Sequence, residues 1–117
     1  MSYQRLCLIT AVLALSACAA DPAPNEQVQL TEQAVAQARA VGADAQIEEM
    51  KLAEDKLALT QKNMAEHDYK RARMLAEQAE LDARLAEARV LTHKSEAQLA
   101  DLNARITRLR KQLGDMQ

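Results

Sequence analysis

The chain has 117 residues and a formal net charge of −2; apolar residues make up 49% of it and aromatic residues 2%. That length suits one domain, and so even a charge balance excludes a nucleic-acid binder that works by bulk electrostatics. With no Phe, no Trp and an apolar set dominated by alanine, the chain cannot build a thick core and reads as an elongated all-α unit.

The first 17 residues carry the three parts of a secretory signal. Arg5 is followed by a stretch from Leu6 to Leu15 without a charge, then by small residues. The apolar run is too short to span a bilayer, which takes about 20 residues. Leu15, Ser16, Ala17 and Cys18 resemble a lipobox, the processing site of bacterial lipoproteins. That resemblance implies cleavage before Cys18, which then carries a thioether diacylglycerol and a third, amide-linked acyl chain. This covalent lipid is the only non-protein group expected, and no metal or other cofactor is. One acyl chain anchors marginally, whereas two or three, at about 0.8 kcal/mol per buried methylene, hold a protein on the membrane. Ala19, where an Asp would follow the cysteine of retained lipoproteins, resembles the sorting pattern of outer-membrane cargo. The expected location is therefore the periplasmic face of the outer membrane. Cys7 leaves with the signal and Cys18 is consumed by lipid, so no disulfide is expected.

Residues 18–25, with Pro22 and Pro24, read as the lipidated cysteine and an extended linker. A helical domain over 26–113 follows, with helices at about 26–41, 45–65 and 69–113 and a short tail at 114–117. Gly42 alone is tolerable inside a helix at a cost of about 1 kcal/mol. With Asp44 available to cap a new helix, a break is expected there instead of a kink. Asp68 is the expected cap of the third helix, and Gly114 suits its stop.

The second and third helices are expected to form an antiparallel hairpin. Met50, Ala53, Leu57, Thr60 and Met64 recur at spacings of three and four, as do Tyr69, Ala72, Ala76, Ala79, Ala83, Ala86 and Val90. A stripe of alanines lets two axes approach closely while Met and Leu from the partner fill the groove. Residues 21–68 hold 10 acids and 4 bases, and residues 69–113 hold 6 acids and 10 bases, a polarity that favours pairing of the two arms.

A second seam runs along the third helix. Leu81, Leu85, Ala88, Thr92, Ser95, Leu99, Leu102, Ile106, Leu109 and Leu113 keep heptad spacing throughout, with large aliphatics concentrated at the C-terminal end. Val28, Val35, Ala38 and Val41 of the first helix offer one cover for it. The other is a partner helix or a second copy of the chain.

The run Asp68 to Arg73, then Leu75 to Ala79, Asp82, Ala83, Leu85, Ala86 and Ala88 resembles the signature of the domain of unknown function 4398 family, helical proteins of Gram-negative envelopes. Ala40, Gly42, Ala43, Ile106, Leu109, Arg110 and Leu113 extend the likeness. Many relatives have a proline where this chain has Ile47. Some relatives carry a peptidoglycan-binding domain of the outer-membrane-protein-A type; with the sequence ending at Gln117, only a non-covalent, peptidoglycan-associated partner is expected here. The hairpin also resembles one tetratricopeptide unit, which would be insufficient alone because such repeats bury a core only by stacking.

Chemistry-bearing clusters are sparse. His67 beside Glu66 and Asp68 reads as a solvated helix tip, and His93 with Glu96 has the spacing of di-metal bundles without a second such motif. There is no phosphate loop, thiol nucleophile or serine with a base, so no enzyme is expected. Arg105, Arg108, Arg110 and Lys111 read as a solvated face or, if an antiparallel hairpin returns them to the anchored end, as candidate contacts to anionic lipid head groups. The expected role is a helical scaffold or adaptor for an envelope partner; the alternative is a periplasmic protein that opens to take up lipid or an apolar client.

Overall fold

The computed structural model describes residues 21–116, which form three helices: α1 (Asn25–Ala40), α2 (Glu48–Ala65) and α3 (Tyr69–Gly114). The signal, the lipobox and Cys18 lie outside the described residues. No strand occurs among those described, and no helix there is long and apolar enough to cross a membrane.

Both turns are set by the same C-terminal cap. At the end of α1 the Ala43 N–H donates to the Ala38 carbonyl and the Gly42 N–H to that of Arg39, both at 2.9 Å. This is the Schellman pattern, which needs a left-handed residue; Gly42 supplies it with φ of 102°. At the end of α2 the Asp68 N–H donates to Asn63 at 2.9 Å and the His67 N–H to Met64 at 3.2 Å, with His67 at φ 61°. Histidine has a Cβ, so it holds this conformation at a cost that glycine avoids. Asp68 then caps α3, its side chain accepting from the Arg71 N–H.

One boundary differs by more than a residue from the sequence expectation. α2 begins at Glu48, not at residue 45: Asp44 accepts from the Gln46 N–H as a cap would, but the turn it opens, closed by the Ile47 N–H on the Asp44 carbonyl, does not run on as helix. Ile47 occupies the cap position in extended conformation, with no side-chain acceptor to offer.

Cross-links fix the directions of the helices. α3 runs antiparallel to α2, with Lys56 2.6 Å from Asp82 and Arg89 2.8 Å from Glu49. Only the second of these follows the expected charge polarity of the two arms. α1 runs parallel to α3: Arg73 reaches the Pro22 carbonyl, Gln27 donates to Glu80, Gln37 to Glu87, and Lys94 to the Val41 carbonyl. Between α1 and α2, Arg39 pairs with Glu54 and Gln61 donates to Glu32. The result is an up-down-up three-helix bundle whose third member continues past the other two.

The core is thin and built from small groups. Ala72, Ala76, Ala79, Ala83 and Ala86 of α3 are fully buried, and Ala83 and Ala86 cluster with Val35, Ala38, Ala43, Met50 and Ala53. Leu57, Met64 and Tyr69 are half-buried at its edges. Such close approach brings backbone within side-chain reach: the buried Thr31 hydroxyl lies 2.9 Å from the Ala76 carbonyl and 2.8 Å from its own helix at Gln27. Glu49 is also buried; its Oε1 meets Arg89, while its Oε2 has no hydrogen-bond partner among the described residues.

Two expectations are corrected. The first helix does not cover the aliphatic seam, because it packs on the alanine side of α3. The basic group Arg105, Arg108, Arg110 and Lys111 does not return to the end where the chain enters the bundle either. With α3 parallel to α1, it lies about 50 Å along the helix from Arg73, which is where the chain enters the bundle at Pro22.

Candidate functional site: the free end of the long helix

Heptad positions on α3 explain which side is covered. With Leu99 at position a, the buried alanines fall at b (Ala72, Ala79, Ala86) and f (Ala76, Ala83). α1 is tied at successive c positions (Arg73, Glu80, Glu87, Lys94), and α2 at successive e positions (Asp82, Arg89). At 3.6 residues per turn the a/d direction points about 150° from the b/f direction. The bundle therefore occupies the b, c, e and f sides and leaves a, d and g open.

Past Val90 the cover ends altogether, since α1 stops at Ala40 and α2 starts at Glu48. Every residue from Leu91 to Met116 is exposed. The segment Leu91–Gly114 is about 36 Å of single helix. Its seam residues are open to solvent to an extent unusual for large aliphatics: Leu99 60%, Leu102 55%, Ile106 40%, Leu109 59% and Leu113 60%. An open groove of 580 Å³ beside them is lined by Ser95, Gln98, Leu99, Asp101, Leu102 and Arg105.

The charges along this segment are accessible. Arg105 pairs with Asp101 one turn back, and His93 lies 3.8 Å from Glu96. Arg108, Arg110 and Lys111 make no ion pair among the described residues. A basic stem with an apolar stripe can hold another helix. No group of three or more His, Cys, Asp or Glu side chains is placed to hold a metal among the described residues.

The opposite end of the molecule is chemically quieter. His67, Asp68, Tyr69 and Lys70 surround an open 380 Å³ hollow with Asp21. There the His67 Nδ1 lies 2.7 Å from the Tyr69 hydroxyl with the rings edge to face. Glu80, on the α1 side of the bundle, has its carboxyl held below the usual range. The Gln27 amide donating to it is the main cause and Arg84 helps, against the opposing effect of burial.

Sequence reasoning missed Thr31 and Glu49 as buried groups. Thr31 sits at the spacing of Val28 and Val35, so the helical period alone marks it as inward. Glu49 stands four residues before the buried Ala53, but an acidic residue reads as solvated, and it is Arg89 that pairs with it at the edge of the core.

A comparison with solved structures supports this architecture. The crystal structure of a DUF4398 family protein from Pseudomonas aeruginosa PAO1 is 59% identical and aligns over 82% of this chain and 100% of its own, with a TM-score of 0.80. No curated protein matches the chain. The family model described as "Domain of unknown function (DUF4398)" matches residues 26–102, from the start of α1 through the first part of the open seam, and the chain belongs to that family.

Proposed function

We propose that this protein is a lipid-anchored, non-enzymatic helical scaffold of the bacterial envelope. Cys18 carries the lipid and holds the chain on the periplasmic face of the outer membrane, and the free end of α3 is the surface offered to a partner. The observation that carries this reading is the uncovered aliphatic stripe from Leu99 to Leu113 on the free end of a helix whose other face is packed only as far as Val90. Surface area of that kind is kept accessible where another surface docks. The client-binding alternative needs helices that part, whereas here two Schellman turns and a closed alanine core favour a fixed bundle.

Two measurements on the full chain in cells test it. Mass analysis of the mature N-terminus is expected to find an acylated Cys18, and Cys18→Ala is expected to release the protein from the membrane fraction; an unmodified cysteine would sink the anchoring half. A photo-cross-linking residue in place of Leu102 is expected to capture a defined envelope protein, and the same residue in place of Thr107, on the far side of α3, is not. Equal capture from both positions would sink the docking half.

A further inference from the structure

The open seam has a partner available on the page, namely itself. We propose that Leu91–Gly114 pairs antiparallel with the same segment of a second copy, placing Leu99 against Leu109 and Leu102 against Ile106 of the second copy. This rests on the scaffold reading and names the partner.

Length supports it. Antiparallel helices pair a positions with d positions, and with the pair centred on Ala104 the layers run from Ser95 against Leu113 to the four aliphatic layers in the middle. The helical residues so paired, 94–114, make three heptads and stop where α1 and α2 begin to occupy the helix surface.

Charge supports the direction. In an in-register parallel pair of these segments Arg105 at g meets Arg110 at e of the other helix, a like-charged contact that occurs twice. In the antiparallel register e faces e, so Glu96 meets Arg110 of the second copy twice over, and Asn103 meets Asn103. The single like pair is Arg105 with Arg105 at the two-fold axis, where each guanidinium already lies 2.8 Å from its own Asp101. Like charges that oppose one pairing select the other. Glu96 is free for this role, since its nearest partner is His93 at 3.8 Å.

The test is charge reversal in the full-length protein in density-matched detergent, read as the dimer dissociation constant by sedimentation equilibrium. Arg110→Glu creates two Glu–Glu contacts in the antiparallel pair and is expected to weaken it about tenfold; Glu96→Arg does the same, and the double variant E96R/R110E restores the parent value. Leu102→Asp is expected to leave only monomer with its helices intact. Tighter association of Arg110→Glu would indicate the parallel pair and overturn the proposal. So would an association that ignores both charge variants, or one that survives Leu102→Asp, which would reflect two anchors sharing a micelle. A protein that stays monomeric at all concentrations while position 102 still cross-links to a different envelope chain would overturn the second copy and leave the scaffold standing.

Discussion

α3 is one uninterrupted helix with two different fates along its length. From Tyr69 to Val90 its alanine face is sealed by α1 and α2; from Leu91 to Met116 every residue is exposed, and Lys94 makes the last bond to the bundle among the described residues, to the Val41 carbonyl. The alanine positions themselves do not stop at Val90, for Ala97, Ala100 and Ala104 continue the same b and f series. What changes is the supply of covering helix. A small-residue stripe becomes a core only where its neighbours reach, and the leucine stripe on the other face is not used by the bundle at any point.

Five substitutions probe that contrast, beginning with the largest effect. Ala79→Leu forces a branched side chain into the closest approach of the bundle and is expected to destabilise by about 3 kcal/mol, at the upper end for overpacking. The same change at Ala100, beyond the cover, is expected to move thermal unfolding by under about 0.5 kcal/mol, typical of a surface site. Comparable losses at both positions would mean that the free segment is packed in solution by something like the bundle. Gly42→Ala should cost about 1–2 kcal/mol by circular-dichroism melting, because φ of 102° suits no side chain and both Schellman bonds depend on it.

At the other turn the sign reverses. His67→Gly is expected to raise stability by up to about 1 kcal/mol, since glycine takes the left-handed cap without strain. Loss of stability there would show that the contact with Tyr69 outweighs the backbone term. The smallest effect concerns acid. Glu80 has a folded pKa below its unfolded value of 4.5, so its contribution is present above that value and fades as pH falls through the folded pKa. Melting temperatures of the parent should drop over that acidic window, and Glu80→Gln should flatten the drop; parallel curves for the two proteins would contradict the assignment.

Much of this was legible in the residues. The spacings of three and four put Met50, Ala72, Ala76, Ala79 and Ala83 on inward faces, and all five are buried, because helical period and side-chain volume are local properties. Asp68 was readable as a cap for the same reason. Direction was not. Whether α1 folds onto the alanine side or the leucine side depends on how the seven residues between Ala40 and Glu48 turn, with Gly42 left-handed and the Asp44 side chain on the Gln46 N–H. The fate of the seam and of the basic end both hang on that one turn. The left-handed histidine was hidden as well, since its cost is offset by two hydrogen bonds that no spacing rule reports.

The central claim is that one half of α3 is held by its own bundle and the other by a second molecule. Amide hydrogen exchange along α3, measured on the full-length protein at low and high concentration, tests it most directly, because an isolated stretch of single helix is marginal in water. The account predicts strong protection of Tyr69–Val90 at both concentrations, and protection of Leu91–Gly114 that rises with concentration and is lost in Leu102→Asp. Protection of Leu91–Gly114 that matches the bundle half and does not change with concentration would contradict it.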